Sequence, residues 1–272
     1  MIRSLQDILV VSDMDGTLLT DDKQLMASTL ESIRLFTSLG GRFTVATGRS
    51  VESVSRYAEL VPLLSPAILT GGTVIYDYEQ NRSLKSATLP KLIAKNALQD
   101  VLGRFPKAGT MVFAANTQIF QVQASPYAQV LFDQESVGFH VRPLEELPPD
   151  WNKVLFAAEP EKINEIEEYV RGRPYPGVYF IHTGPIFFEI MPQGVSKGST
   201  LSELCALLDV SLENTIVIGD YYNDLEMMDV AGYSVAMRNA PADVSFEADE
   251  ICQSNNEGGV GQYLYELVKR YG

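Results

Sequence analysis

Two groups of acids, each placed where a short apolar run ends, carry the strongest chemical signal in this sequence. Ile8-Leu9-Val10-Val11-Ser12 leads into Asp13-Met14-Asp15-Gly16-Thr17-Leu18-Leu19, and Thr215-Ile216-Val217-Ile218 leads into Gly219-Asp220-Tyr221-Tyr222-Asn223-Asp224. Taken singly, the acids have ordinary explanations. Asp13 and Asp15 read as a cap and a solvated turn, Asp220 as the N-cap of a helix beginning near Asn223, and Asp224 as a first-turn acid favoured by the helix dipole. Each explanation accounts for one acid and leaves the grouping beside a glycine at a strand end unexplained. Carboxylate oxygens suit a hard cation such as Mg²⁺, which keeps several waters and is usually held by one or two carboxylates plus substrate phosphate. Asp13 and Asp220 are the candidate carboxylates, with a nearby backbone carbonyl completing the protein's share.

Two basic junctions fit a phosphate. Thr47-Gly48-Arg49 ends one apolar run and opens a helical one, where a hydroxyl and free backbone amides make a seat for an anion. Lys197, after Gly194-Val195-Ser196, offers a point charge to the same anion. A single basic residue is most simply a solvated surface charge; two at the same kind of junction favour a site. Gly194-Val195-Ser196-Lys197-Gly198 also matches the G-x-S-x-G nucleophile elbow. That motif requires the order Ser, acid, His, and both histidines, His140 and His182, precede Ser196. Ser196 is therefore expected to be an N-cap.

The elements that must position these residues alternate between strand and helix. Ile8–Ser12 is a short continuous apolar run, as expected of a strand buried on both faces of a parallel sheet. A helical spacing over Leu25–Leu39 closes at Gly40-Gly41, Arg42–Ala46 is a second strand, and Ser50 caps a helix to about Leu60. Ala67–Leu69 and Thr73–Tyr76 flank a tight turn at Gly71-Gly72. The alternation predicts an α/β domain with a parallel sheet. Between about Arg82 and Pro185 the pattern changes to helices near Pro90–Phe105 and Glu161–Arg171. They are interleaved with strands at Thr110–Ala114, Gln118–Val122 and Val154–Ala158, with breaks at Pro148-Pro149 and Arg173–Gly177. This reads as an α+β insertion. The first pattern resumes at Ile186–Ile190, giving a core of residues 1–81 and 186–272 around an insertion of 82–185. A helix over Gly198–Leu208, the strand Thr215–Ile218 and a last helix at Val260–Tyr271 complete the core.

Composition narrows the function classes. The chain has 272 residues, 21 Lys and Arg against 35 Asp and Glu, and a net charge of -14. Such a surface repels nucleic acid and anionic membranes, so neither is expected as a partner, and a small anion needs a local cation to hold it. Cys205 and Cys252 are too few for a disulfide scaffold or a Cys-rich zinc site, and two histidines nearly exclude a histidine-built centre. The start lacks a long apolar segment and no apolar run spans a bilayer, so a cytoplasmic location is expected. The sequence sets no oligomeric state.

Together, Asp13–Leu19, Thr47-Gly48-Arg49, Lys197 and Gly219–Met227 resemble, in order, the four motifs of the haloacid dehalogenase (HAD) superfamily, and specifically its Cof-type phosphatases. Val195–Gly198, Val235–Ala240 and Gly258-Gly259-Val260 are similar to recurring Cof-type stretches. The resemblance covers the whole chain. It implies a Rossmann-like HAD core and, between the second and third motifs, a type IIB α+β cap that sets substrate specificity. It further implies that Asp13 is the nucleophile, forming an aspartyl-phosphate. Asp15 would be the acid–base, with its backbone carbonyl on Mg²⁺. Asp13 and Asp220 would be the carboxylate ligands and Asp224 would lie behind them. Thr47, Gly48, Lys197 and Asn223 would hold the phosphoryl oxygens. The implied activity is Mg²⁺-dependent hydrolysis of a small phosphorylated metabolite, such as a sugar phosphate. A phosphomutase using the same aspartyl-phosphate, and a catalytically silent phosphate-binding regulator, are the alternatives; a dinucleotide enzyme lacks its G-x-G-x-x-G. Two positions depart from the family pattern, Gly71 where Asn is frequent and Arg238 where glycine is common. Tyr127, His140, Tyr175, Tyr179 and His182 are the polar-tipped candidates within the insertion.

Overall fold

Fourteen strands and nine α-helices form among the described residues, 4–63, 65–115 and 117–272, of the computed structural model. In chain order they are β1 (Leu9–Ser12), α1 (Ala27–Ser38), β2 (Arg42–Val45), α2 (Val51–Ala58), β3 (Ala67–Leu69), β4 (Val74–Asp77) and β5 (Arg82–Ser86). Next come α3 (Lys91–Arg104), β6 (Gly109–Ala114), β7 (Ile119–Gln123), α4 (Pro126–Glu135), β8 (His140–Val141), β9 (Trp151–Ala157), α5 (Pro160–Val170), β10 (Val178–Gly184) and β11 (Phe187–Pro192). The chain ends with α6 (Lys197–Leu208), β12 (Thr215–Gly219), α7 (Leu225–Val230), β13 (Tyr233–Met237), α8 (Ala242–Glu247), β14 (Glu250–Cys252) and α9 (Gly259–Tyr271).

The chain divides into two compact units. The first comprises the described residues of Met1–Gly48, Val54–Leu84 and Ser196–Gly272. Its sheet has the order β14-β13-β12-β1-β2, and every pairing is parallel. The continuous apolar runs foreseen for β1 and β12 are its two central neighbours. Leu9, Val10, Val11, Val217 and Ile218 are fully buried, as a strand with helices on both faces must be. Helix α9 turns Val260, Leu264 and Leu267 inward and packs on α1. A Cβ on Gly261 would come within 2.7 Å of the Thr29 Cα, so glycine sets that approach.

The second unit comprises Arg49–Ser53 and Lys85–Val195. Its six-stranded sheet has the order β10-β11-β9-β6-β7-β8 and is antiparallel except for β7 with β8. Alternation along the strands divides the side chains between two faces. Val112, Val154, Phe156 and Phe188 cluster with α3 and α5, whereas Met111, Phe113, Leu155 and Ala157 cluster with α4. The second boundary lies later in the chain than the sequence pattern placed it. Phe187–Pro192 pairs with β9 and β10, so this apolar run belongs to the inserted sheet rather than to the returning core. Apolar periodicity marks a buried strand but does not name its partner.

Candidate active site

Parallel neighbours end on the same side of a sheet, so the residues following β1 and β12 are brought together. Ser12 is paired with Ile218, and the Asp13 amide extends the ladder by donating to the Ile218 carbonyl at 2.8 Å. Asp13 thus stands one residue beyond β1 and Asp220 one residue beyond β12. Lys197 opens α6, where the Ser196 hydroxyl accepts from the Ser199 amide at 3.0 Å as the expected N-cap. The Gly71-Gly72 turn braces this junction. Gly72 has φ +105° and a Cβ there would overlap the Ser196 carbonyl, while Thr200 Oγ1 donates to the Gly72 carbonyl at 2.7 Å.

Lys197 Nζ donates to Asp13 Oδ1 at 2.6 Å and to Asp224 Oδ1 at 2.7 Å, and all three side chains are buried. The second oxygen of Asp224 accepts from the amides of Asp220 and Tyr221 at 2.9 and 3.2 Å. Asp220 Oδ1 accepts from Thr17 Oγ1 at 2.7 Å. Gly16, with φ +81°, is required twice over: its backbone is left-handed, and a Cβ would overlap the Asp220 carboxylate. A Cβ on Gly219 would lie 2.6 Å from Asp224 Oδ2.

The electrostatics are those of an acidic cluster short of positive charge. Burial raises the Asp13 carboxyl well above its ordinary value, opposed by Lys197 and reinforced by Asp224 and Asp220. Asp220 is pushed up to about 7, first by burial and then by Asp224. Burial alone would lower the Lys197 ammonium, but Asp13 and Asp224 outweigh it and hold it above the ordinary lysine value. One ligand oxygen from each of Asp13, Asp220 and Asp224 lies within 4.8 Å of the others. An all-oxygen, anionic set of this kind fits a hard divalent cation. Asp224 already gives one oxygen to Lys197 and the other to two amides, which leaves Asp13 and Asp220 as the better-placed donors.

The family model for haloacid dehalogenase-like hydrolases matches residues 10–264. The chain belongs to that family. It is similar to the putative phosphatase YxeH of Bacillus subtilis, at 27% identity over 96% of this chain and 98% of the relative. It is also similar to the pyridoxal phosphate phosphatase YbhA of Escherichia coli, at 26% identity over 94% and 97%. Among solved structures, a haloacid dehalogenase-like hydrolase from Bacteroides thetaiotaomicron superposes with a TM-score of 0.84 at 25% identity, covering 96% of this chain and 99% of that one.

The other expected site residues of this haloacid dehalogenase-like hydrolase fall in three settings. Thr47, buried two residues beyond β2, donates its amide to the Ile68 carbonyl at 2.9 Å and accepts at its own carbonyl from the Gly71 amide at 3.0 Å. Gly48 follows it, half-buried, and Asn223 sits half-buried in the 3₁₀ turn Tyr222–Asp224. Arg49 is buried and donates to Ser53 Oγ at 2.9 Å. The Asp15 side chain points to Lys23, with Nζ 2.9 Å from Oδ1. In the polar tract Asp21-Asp22-Lys23 nothing in the sequence distinguishes Lys23 from a solvated turn. Its backbone, at φ +58°, is held by Tyr57, whose hydroxyl donates to the Lys23 carbonyl at 3.0 Å.

In the insertion, several polar-tipped candidates have structural partners. Tyr175 donates to Asp100 at 2.8 Å, Tyr179 to the Val195 carbonyl at 2.7 Å, and His182 lies 3.0 Å from Glu167. His140 is exposed beside Gln118, and Tyr127 packs against the α4 cluster. No helix among the described residues is long and apolar enough to cross a membrane.

Proposed function

We propose that this protein is a Mg²⁺-dependent phosphatase that hydrolyses a small phosphorylated metabolite through an aspartyl-phosphate on Asp13. The observation that carries this reading is the buried Asp13–Lys197–Asp224 chain with Asp220 beside it, at the ends of two adjacent parallel strands. A phosphatase named for pyridoxal phosphate among the relatives agrees with a small substrate.

In this reading Asp13 and Asp220 hold Mg²⁺, which supplies charge neutralisation at the phosphoryl oxygens when bound. Lys197 aims Asp13 and adds its own charge to the phosphoryl group, with Thr47, Gly48 and Asn223 holding the remaining oxygens. An Asp13 oxygen forms a bond to phosphorus as the bond to the leaving oxygen breaks, and Asp15 gives its proton to the departing alkoxide. Asp15 must carry that proton, so its ion pair with Lys23 opens first. Water then attacks the aspartyl-phosphate and passes a proton to Asp15; phosphate leaves and Asp13 is restored. Asp224 keeps Lys197 and the Asp220 amide in place. The insertion contributes none of these groups, and we assign it the choice of substrate.

The test is phosphate release by purified protein with and without a chelator, for the wild type and Asp13→Asn. The expected outcome is Mg²⁺-restorable release by the wild type and none by a normally melting Asp13→Asn. Full activity in chelator removes the metal, and turnover by Asp13→Asn moves the nucleophile. Phosphate returned to a sugar rather than to water indicates the mutase chemistry.

A further inference from the structure

Two stretches outside the proposed chemistry send side-chain amides to the segment that follows the nucleophile. Asn239 Nδ2 donates to the Gly16 carbonyl at 2.8 Å, and its Oδ1 accepts from the Asn255 amide at 3.0 Å. Asn255 Nδ2 donates to the Leu19 carbonyl and to Asp21 Oδ1, both at 3.0 Å. Asn256 completes the set: Nδ2 donates to Asp21 Oδ2 at 2.8 Å and Oδ1 accepts from the Asp21 amide at 3.0 Å. Each partner fixes the orientation of its amide. Carbonyls and carboxylates only accept and a backbone N–H only donates, so flipping any of the three side chains breaks the bonds it makes.

The anchor is itself firmly held. Asn255 is 2% exposed and begins a turn closed by Glu257 Oε2, which accepts from Ser254 Oγ at 2.6 Å and from the Ser254 amide at 3.2 Å. Beyond the turn, a Cβ on Gly259 would overlap the Gln253 carbonyl, which presses the chain directly into α9. The segment being held begins one residue after Asp15, at Gly16, where the backbone has its widest freedom. The Leu19 amide also donates to the Met14 carbonyl at 2.8 Å, and Asp15 and Leu19 form a bridge. Fixing Gly16 and Leu19 therefore fixes the peptide on both sides of Asp15.

We propose that Asn239 and Asn255 are positioning residues for Asp15, placing its carboxyl for proton transfer through the backbone of Gly16–Asp21. This rests on the reading of Asp15 as the general acid–base. A displacement of about 1 Å in such a group lowers a rate by up to roughly 10²-fold, and the loss depends on how much protonation the leaving group needs.

The experiment compares kcat/KM of Asn239→Ala, Asn255→Ala and Asp15→Asn on glycerol phosphate and on para-nitrophenyl phosphate, with a thermal melt of each. This parameter reports the steps up to formation of the aspartyl-phosphate, where an aryl leaving group needs little help from an acid. Glycerol phosphate hydrolysis is expected to fall roughly 10- to 100-fold in both asparagine variants, with a clearly smaller fall for the aryl ester. Asp15→Asn should show the same skew, larger. Asn239 is exposed, so its variant keeps the fold even where Asn255→Ala does not. Equal losses on both esters, or none, in Asn239→Ala while Asp15→Asn is skewed overturn the positioning role. An unskewed Asp15→Asn instead removes the acid–base reading beneath it, and the positioning role with it.

Discussion

At the scale of single residues, Asp220 should tie the protein's stability to pH, because its carboxyl is pushed up to about 7 by burial and by Asp224. In the unfolded chain an aspartate titrates near ~4. Between those values the folded protein holds a proton that the unfolded chain has lost, so this residue's contribution to stability falls as pH rises through that window. A bound divalent cation removes the penalty by taking the proton's place. The rise in melting temperature on adding Mg²⁺ should therefore be larger above about pH 7 than near pH 5, and Asp220→Asn should reduce that difference, with the raised Asp13 carboxyl keeping the rest. An equal rise at both pH values in the wild type would count against Asp220 as a ligand. The convergence of Asp13, Asp220, Asp224 and Lys197 was legible in the sequence because each stands at a strand end or helix start, and parallel strands bring such ends to one side of the sheet. Lys23, Asn239 and Asn255 were not, since their meaning lies in partners far along the chain, as with Asn255 and Leu19.

At the scale of elements, β11 shows what apolar pattern leaves open. Its run was visible, but its place beside β9 follows from hairpin pairing with β10. Helix α4 is not marked by its apolar pattern, although Ser125 caps it, accepting from the Ala128 amide at 3.0 Å, and Pro126 occupies its first turn. That combination is a start signal, masked by a helix of only ten residues with a weak apolar stripe. The strands of the insertion also hide a charge pair. Lys153 Nζ on β9 lies 2.7 Å from Glu189 Oε1 on β11, with both side chains 2% exposed. Lys153 Nζ also lies 4.6 Å from the centroid of the Phe113 ring. Removing one partner of a buried pair takes away the charge that offsets the other's desolvation, at a cost of about 3–5 kcal/mol. Glu189→Leu should destabilise by that amount, and adding Lys153→Met should recover most of it. Chemical denaturation of both variants checks this; additive losses would mean that the two charges do not depend on each other.

The whole molecule keeps the acidic cluster in one unit and the larger inserted sheet in the other. Substitutions on the insertion's surface should change which phosphometabolites are used while sparing slow hydrolysis of para-nitrophenyl phosphate. A substrate panel run beside that ester measures it, and equal loss of both in folded variants would end the assignment. The register Leu9↔Thr215 has a consequence of another kind, for the order in which the molecule is made. Strand β1 leaves the ribosome about two hundred residues before its neighbour β12. Nearly all of the second unit, by contrast, is the unbroken stretch Lys85–Val195, complete while β12 is still unsynthesised. Closing a loop of that length costs more than closing a short one, though only logarithmically, and domains tend to fold as units during synthesis. The inserted sheet should therefore gain amide protection first in pulse-labelled refolding. The β1–β12 pair should close later, and a chain that ends before β12 lacks both Asp220 and Asp224.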